Sequence, residues 1–223
     1  LRTPLTTLLA HLETLQMKQS ELTPQERGEY LGVATRQSRR IGLLVEQLLE
    51  AAKLDAGQVT VNVEPFPIGE LLQDVVQKFA LAARDCGVAL EVDARAAATM
   101  VSGDIALLER VLDNLIDNAL RHTPIGGRVT VQSQPRGERV RVSVTDSGPG
   151  LTREEAERAF KRFYRGDPGR STHSGQSGLG LAIVKSILEL HGSDVAVESQ
   201  PGHGASFYFE LPIVTQPPRT APT

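Results

Sequence analysis

Small or apolar side chains recur every three or four positions across residues 24–55, at Leu31, Ala34, Ser38, Ile41, Val45, Leu48 and Ala52. That is a heptad seam, the spacing at which an α-helix turns one face to a partner. Just before it, Thr23-Pro24-Gln25-Glu26 forms a start signal. Thr23 can accept a free N–H of the first turn, Pro24 needs no donor there, and Glu26 completes a capping box. Residues 1–18 carry no strand pattern either, so the first 55 residues read as two helices with a short turn near 20–24. The seam allows two readings: a helical hairpin that pairs with a second copy, or one amphipathic helix lying on the rest of the chain.

The period then changes. Val59-Thr60-Val61-Asn62-Val63 alternates as a short strand does, and Pro65 and Pro67 punctuate its exit. Beyond it, helical periods over about 68–85, 104–121, 152–160 and 178–191 mix with alternating runs over about 88–92, 128–134, 139–145, 194–199 and 205–211. Strands in hairpin pairs with helices between them predict an α+β sandwich and not a parallel doubly wound sheet. The expected division is a helical domain at 1–56, a hinge at 57–67, a mixed domain at 68–212, and a Pro-rich disordered tail at 213–223.

Composition narrows this little. The 223 residues are 40% hydrophobic and 23% charged with a net charge of −3, an ordinary globular balance with no electrostatic footprint for nucleic acid or an anionic membrane. Cys86 stands alone, so no intramolecular disulfide is possible and a reducing, cytoplasmic setting is expected. No apolar run reaches the roughly 20 residues that span a bilayer. The chain opens on Leu1 inside a helical pattern, which suggests a fragment of a longer parent.

Four segments carry candidate chemistry. Asn114 and Asn118 lie four apart in the helix at 104–121, beside the apolar stripe Leu108, Val111, Leu112, Leu115 and Ile116. An amide oxygen is a suitable hard ligand for Mg²⁺, although two asparagines can equally be solvated or bonded locally. Asp146-Ser147-Gly148-Pro149-Gly150 follows a strand: the carboxylate can accept from an exocyclic amine and the glycines let a ring lie against the backbone. The same five residues are also good turn chemistry. Phe160-Lys161-Arg162-Phe163-Tyr164-Arg165 precedes a polar stretch, a lid or an ordinary loop. Gly175-Gln176-Ser177-Gly178-Leu179-Gly180-Leu181 enters a helix, where free N–H groups and the helix dipole favour phosphate. It is neither a Walker A sequence nor a dinucleotide fingerprint.

The order and spacing of these segments resemble the N, G1, F and G2 boxes of the histidine kinases among the Bergerat-fold ATPases. Leu1-Arg2-Thr3-Pro4-Leu5-Thr6 is similar to the tail of their H-box, HELRTPLT, and Gly202-His203-Gly204 with Phe207 and Phe209 to their closing turn and strand. The resemblance covers about 1–212. It implies an antiparallel hairpin that dimerises into a four-helix bundle, followed by an ATP-binding α/β sandwich. Asn118 would hold Mg²⁺, Asn114 would contact phosphate or metal-bound water, and Arg121 would lie near the phosphates. His122 would flank adenine, Asp146 would bind its amino group, and Gly148 and Gly150 would shape the pocket. Phe163 and Tyr164 would belong to the nucleotide surface, and Arg165 would steady the γ-phosphate. Gly175, Ser177, Gly178, Leu179, Gly180 and Leu181 would bring backbone N–H groups to the phosphates.

The implied activity is transfer of the γ-phosphate of Mg-ATP to histidine and then to a response-regulator aspartate, within a homodimer whose parent is anchored in the bacterial inner membrane. Thr3 matches a position associated with phosphatase activity. The family's phosphorylated histidine and its acidic neighbour would fall two and one positions before Leu1, so this chain is expected to bind ATP without labelling itself. Two alternatives stay open: a degenerate or split kinase acting as a scaffold, and a non-kinase ATPase in which Asp113 or Asp117 activates water.

Overall fold

The computed structural model describes residues 2–18, 21–164 and 178–214. It divides into two compact units, Leu1–Ala52 and Lys53–Thr223. In the first, α1 (Arg2–Met17) and α2 (Pro24–Asp55) form a hairpin, with the His11 and Tyr30 rings 5.4 Å apart between them. The expected capping box opens α2: the Glu26 N–H donates to Thr23 Oγ1, and the Thr23 N–H donates to Glu26 Oε2. The heptad seam is only partly covered. Ala34 is buried and Ile41 half-buried, whereas Leu31, Val45 and Leu48 are 49%, 42% and 42% exposed. A hairpin helix has two directions to satisfy, and one chain fills only the one toward its own neighbour.

The second unit is built on a mixed sheet. Its strands are β2 (Ala89–Ala94), β4 (Arg128–Arg136), β5 (Arg139–Asp146), β6 (Val195–Ser199) and β7 (Ala205–Pro212), in the order β2-β4-β5-β7-β6. Only β2 and β4 run parallel, and the other pairs are antiparallel. Helices α3 (Ile68–Asp85), α4 (Ile105–His122) and α6 (Gly180–Leu190) complete the core. Alternation on the strands decides which side is buried. Val129, Val131, Val140, Val142, Phe207, Phe209 and Leu211 share the buried face of the sheet, and Leu108, Val111, Leu112, Leu115 and Ile116 of α4 are buried as well, each contributing about 1.5–3 kcal/mol through burial. The intervening positions are polar, with Arg141 over the Tyr208 ring and paired to Glu210 at 3.1 Å.

Three expectations need correction. Residues 59–63 form no strand; the strand is β1 (Glu64–Pro67), paired antiparallel with β3 (Met100–Gly103), which the sequence reading missed. Val63 is exposed, and the anchor is buried Phe66. Two prolines at alternate positions suit a two-stranded sheet, where alternate amides face away from the partner. The helix expected at 152–160 is shorter, α5 (Arg153–Arg158), and is opened by a Thr152–Glu155 capping box. The ordered chain also runs past 212: Ile213 bridges to Val101 and the Val214 N–H donates to the Met100 carbonyl at 2.9 Å. The rest of the expected tail lies outside the described residues.

Asp104 is the joint that sets α4. Its Oδ1 accepts the Leu107 N–H at 3.1 Å as N-cap, and its Oδ2 accepts the Asn62 N–H at 2.8 Å. Its own N–H donates to His191 Nε2 at 3.0 Å, while His191 Nδ1 donates to the Ile187 carbonyl. With Nε2 accepting, Nδ1 is left as the ring's donor. The start of α4 and the end of α6 are thereby fixed together.

Candidate nucleotide site

A solvent-open cleft, about 650 Å³ with the open solvent at its mouth included, lies where α4 ends, β5 ends and α6 begins. Asn118 and His122, four apart on one face of α4, form one wall. Asp146, at the last position of β5, lies in the base with Ala205 and Phe207 of the neighbouring strand β7. Pro149, Gly150, Leu151, Glu155, Ala159 and Tyr164 form the opposite side, and Leu181 of α6 completes it.

Asp146 is the most constrained polar group there. It is 6% exposed, and burial pushes its carboxyl above the usual range. The Gly148 and Ala205 N–H groups and the nearby His122 pull in the opposite direction. The Gly148 N–H donates to Asp146 Oδ1 at 2.8 Å. A Cβ at Gly148 would come within 2.6 Å of the His122 carbonyl oxygen and 2.8 Å of Asp146 Oδ1. Glycine there is a packing requirement of the site's floor, so Asp146-Ser-Gly-Pro-Gly is more than a plain turn.

The aromatic-basic segment is pinned at several points. Phe160 meets Phe207 edge-on at 6.1 Å, and the Arg158 guanidinium sits 4.7 Å over the Tyr164 ring. Phe163 has a left-handed backbone, φ 59, and is exposed; its N–H donates to the Gly178 carbonyl at 2.8 Å. Gly178, at φ +69, packs so closely on Phe163 and Tyr164 that a Cβ would lie 2.7 Å from the Tyr164 carbonyl oxygen.

The remaining site candidates fall in other places. Asn114 donates to the Arg110 carbonyl at 2.8 Å, the local bonding open to a helical asparagine, with its Oδ1 beside Gly180. Arg121 pairs with Asp117 at 2.9 Å on an exposed face. Neither lines the cleft. Leu179 is buried in the core, and Phe163 points its ring to solvent. Arg165, Gly175 and Ser177 lie outside the described residues, as does the Thr3 side chain. Asp113, the base of the non-kinase alternative, is bound 2.7 Å from Lys78, which also holds Glu109. Those partners tie α4 to α3 and raise the Lys78 ammonium pKa, an arrangement with no role for Asp113 in the cleft.

Two family models match the chain: the histidine kinase-, DNA gyrase B- and HSP90-like ATPase over 103–215, and the His Kinase A (phospho-acceptor) domain over 1–57. The chain belongs to the sensor histidine kinases. Sensor protein DivL of Caulobacter vibrioides is 36% identical over 218 residues, covering 97% of this chain and 27% of that protein. Sensor-like histidine kinase SenX3 of Mycobacterium bovis is 34% identical over 180 residues, covering 81% and 44%. The chain thus spans less than half the length of these curated relatives. Histidine kinase ThkA, solved in complex with response regulator protein TrrA, superposes with TM-score 0.77 at 26% identity, covering 96% of this chain and 58% of that one. Full-length ShkA in complex with AMPPNP gives 0.73 at 28%, covering 96% and 44%.

Of the residues singled out in the sequence, Asn118, His122, Asp146, Gly150, Tyr164 and Leu181 line the cleft, whereas Leu151, Ala159, Ala205 and Phe207, which also line it, were not singled out as site residues. The signal for the last two was present, since Ala205 and Phe207 share the inward phase of β7. Glu155 was missed because its visible role is the capping box, where it accepts the Thr152 N–H at 2.8 Å.

Proposed function

We propose that the cleft binds Mg-ATP, and that the parent kinase transfers its γ-phosphate to a histidine preceding Arg2-Thr3-Pro4 and then to a response-regulator aspartate. The observation that carries the reading is the buried Asp146 carboxylate in a mostly apolar pocket, with Asn118 and His122 also in its lining. A carboxylate there matches the exocyclic amine of adenine, and the apolar sides match its ring. The AMPPNP in the ShkA complex supports the nucleotide, and TrrA in the ThkA complex supports the regulator.

Asn118 fits Mg²⁺ as an amide-oxygen ligand lining the cleft. Among the described residues no cluster of His, Cys, Asp or Glu could hold a metal alone, so the remaining ligands would be phosphate oxygens and water, as Mg²⁺ prefers. When bound, the ion would neutralise phosphate charge. Arg165 and the Gly178–Leu181 backbone would orient the phosphates by the family pattern, and Arg121 would do so only on leaving Asp117. Positioning and charge stabilisation account for most catalysis of phosphoryl transfer.

Titration with a fluorescent ATP analogue should saturate and weaken when EDTA removes Mg²⁺. No binding at millimolar nucleotide would sink the site. With γ-labelled ATP, the 223-residue chain should stay unlabelled, while the same chain extended by His-Glu ahead of Leu1 should become labelled. Labelling of the unextended chain at His11 would overturn the assignment of the acceptor.

The partner through the helices would be a second copy. Leu5, Leu9 and Leu12 of α1 are exposed in a helical stripe, as are Leu31, Val45 and Leu48 of α2. Heptad-spaced apolar stripes on both helices of a hairpin suit a four-helix bundle. Val45→Glu with Leu48→Glu should convert a dimer to a monomer in analytical ultracentrifugation, with nucleotide binding retained. A variant that stays dimeric would refute that interface.

A further inference from the structure

The second unit begins at Lys53, so the last turn of α2, with Asp55, belongs to it. An acidic residue at a helix C-terminus faces the negative end of the macrodipole, so Asp55 gains nothing from the helix it closes. Its partner lies far along the chain: Arg162 Nη2 donates to Asp55 Oδ1. Arg162 sits between the residues that matter most in the aromatic-basic segment. On one side is Phe160, whose ring rests on cleft-lining Phe207. On the other are Phe163, in the left-handed region that L-residues avoid, and Tyr164, which walls the cleft.

A non-glycine residue at φ 59 persists only where its surroundings hold it. Among the described residues, several contacts hold the segment. The Phe163 N–H donates to Gly178, the Tyr164 N–H donates to the Lys161 carbonyl at 3.1 Å, Arg158 stacks on Tyr164, and Arg162 pairs with Asp55. The first three act within the loop and its immediate neighbours, while the fourth anchors it to the end of α2.

We propose that Arg162 is a positioning residue of the nucleotide cleft, and that Asp55 holds it so that Tyr164 keeps its place in the wall. The inference rests on the cleft being the nucleotide site and adds a link from the end of α2 to that site. Both side chains are 43% exposed, so the link is weak and easily broken, as suits an adjustable restraint. Removing an exposed pair of this kind should weaken ATP binding about two- to fivefold.

The test uses the whole chain with Asp55→Arg, Arg162→Asp and the double reversal. Each single variant should bind Mg-ATP about two- to fivefold more weakly at low salt, and the double reversal should regain the lost affinity. High salt should narrow the differences, and unfolding midpoints should stay within error of one another. Amide exchange at Phe163 should quicken in each single variant and slow again in the double. Singles that bind and exchange like the parent chain overturn the proposal, as does a double variant whose losses simply add. The exchange readout needs no nucleotide. If the parent chain fails to bind ATP, the site reading falls while Phe163 still judges the ion pair.

Discussion

Asp146→Asn is expected to weaken ATP binding on the order of 100-fold, the magnitude of a lost hydrogen bond to a charged group, while leaving the chain folded. The substitution keeps the size of the group and an oxygen able to accept the Gly148 N–H, so the loss would fall on recognition of the adenine amine. The same carboxyl makes stability depend on pH. Burial raises its folded pKa above the ordinary 3.8. Its stabilising effect is therefore fully present below that value, where the group is neutral in both states, and is lost as pH rises through the folded pKa. The unfolding midpoint of the nucleotide-free chain, followed upward from about pH 3.8, should decline more in the parent than in Asp146→Asn. Parallel pH profiles would show that desolvation of Asp146 is not the dominant cost. Tight binding by the variant would remove Asp146 from adenine recognition.

The parts of this fold legible in the sequence were those written by one rule at a time. The 3.6-residue period placed α3 and α4, and strict alternation placed β4, β5 and β7, because each buries one face against a single core. The strand at Val59–Val63 failed because alternation alone does not say whether a partner exists. The partner strand β3 pairs with the next four residues, where buried Phe66 supplies the anchor. The site was legible where a residue type has few reasons to stand where it does, as with Asp146 among glycines. Asn114 shows the limit. It shares a face with Asn118 by spacing, yet Gly180 packs against it and its amide serves the Arg110 carbonyl, and only tertiary packing decides that. Arg162 and Asp55 were invisible for a related reason, since no local pattern announces a partner 107 positions away.

Gly204→Ala is expected to destabilise the chain by about 3 kcal/mol or more, the sum of left-handed backbone strain and a steric conflict that cannot relax. Gly204 has φ +76, and a Cβ there would collide with the Asp146 carbonyl oxygen and lie 3.2 Å from the Ser147 Cα. Those atoms cannot retreat, because Asp146 pairs in register with Ala205 across β5 and β7. The turn between β6 and β7 is also docked on the loop after β5. The Gly202 N–H donates to the Pro149 carbonyl at 2.7 Å, and the Leu151 N–H donates to Ser199 Oγ at 2.7 Å. Gly137 supplies the control, since it has φ +61 with nothing within 4 Å of a built Cβ. Gly137→Ala should therefore cost only the backbone term, about 1–2 kcal/mol, and the difference between the two variants in urea unfolding isolates the steric part. Equal losses would mean that the two turns separate freely. A larger loss at Gly204, with ATP binding impaired even where the variant is fully folded, would mean that this interlock is what holds Asp146 at the floor of the cleft.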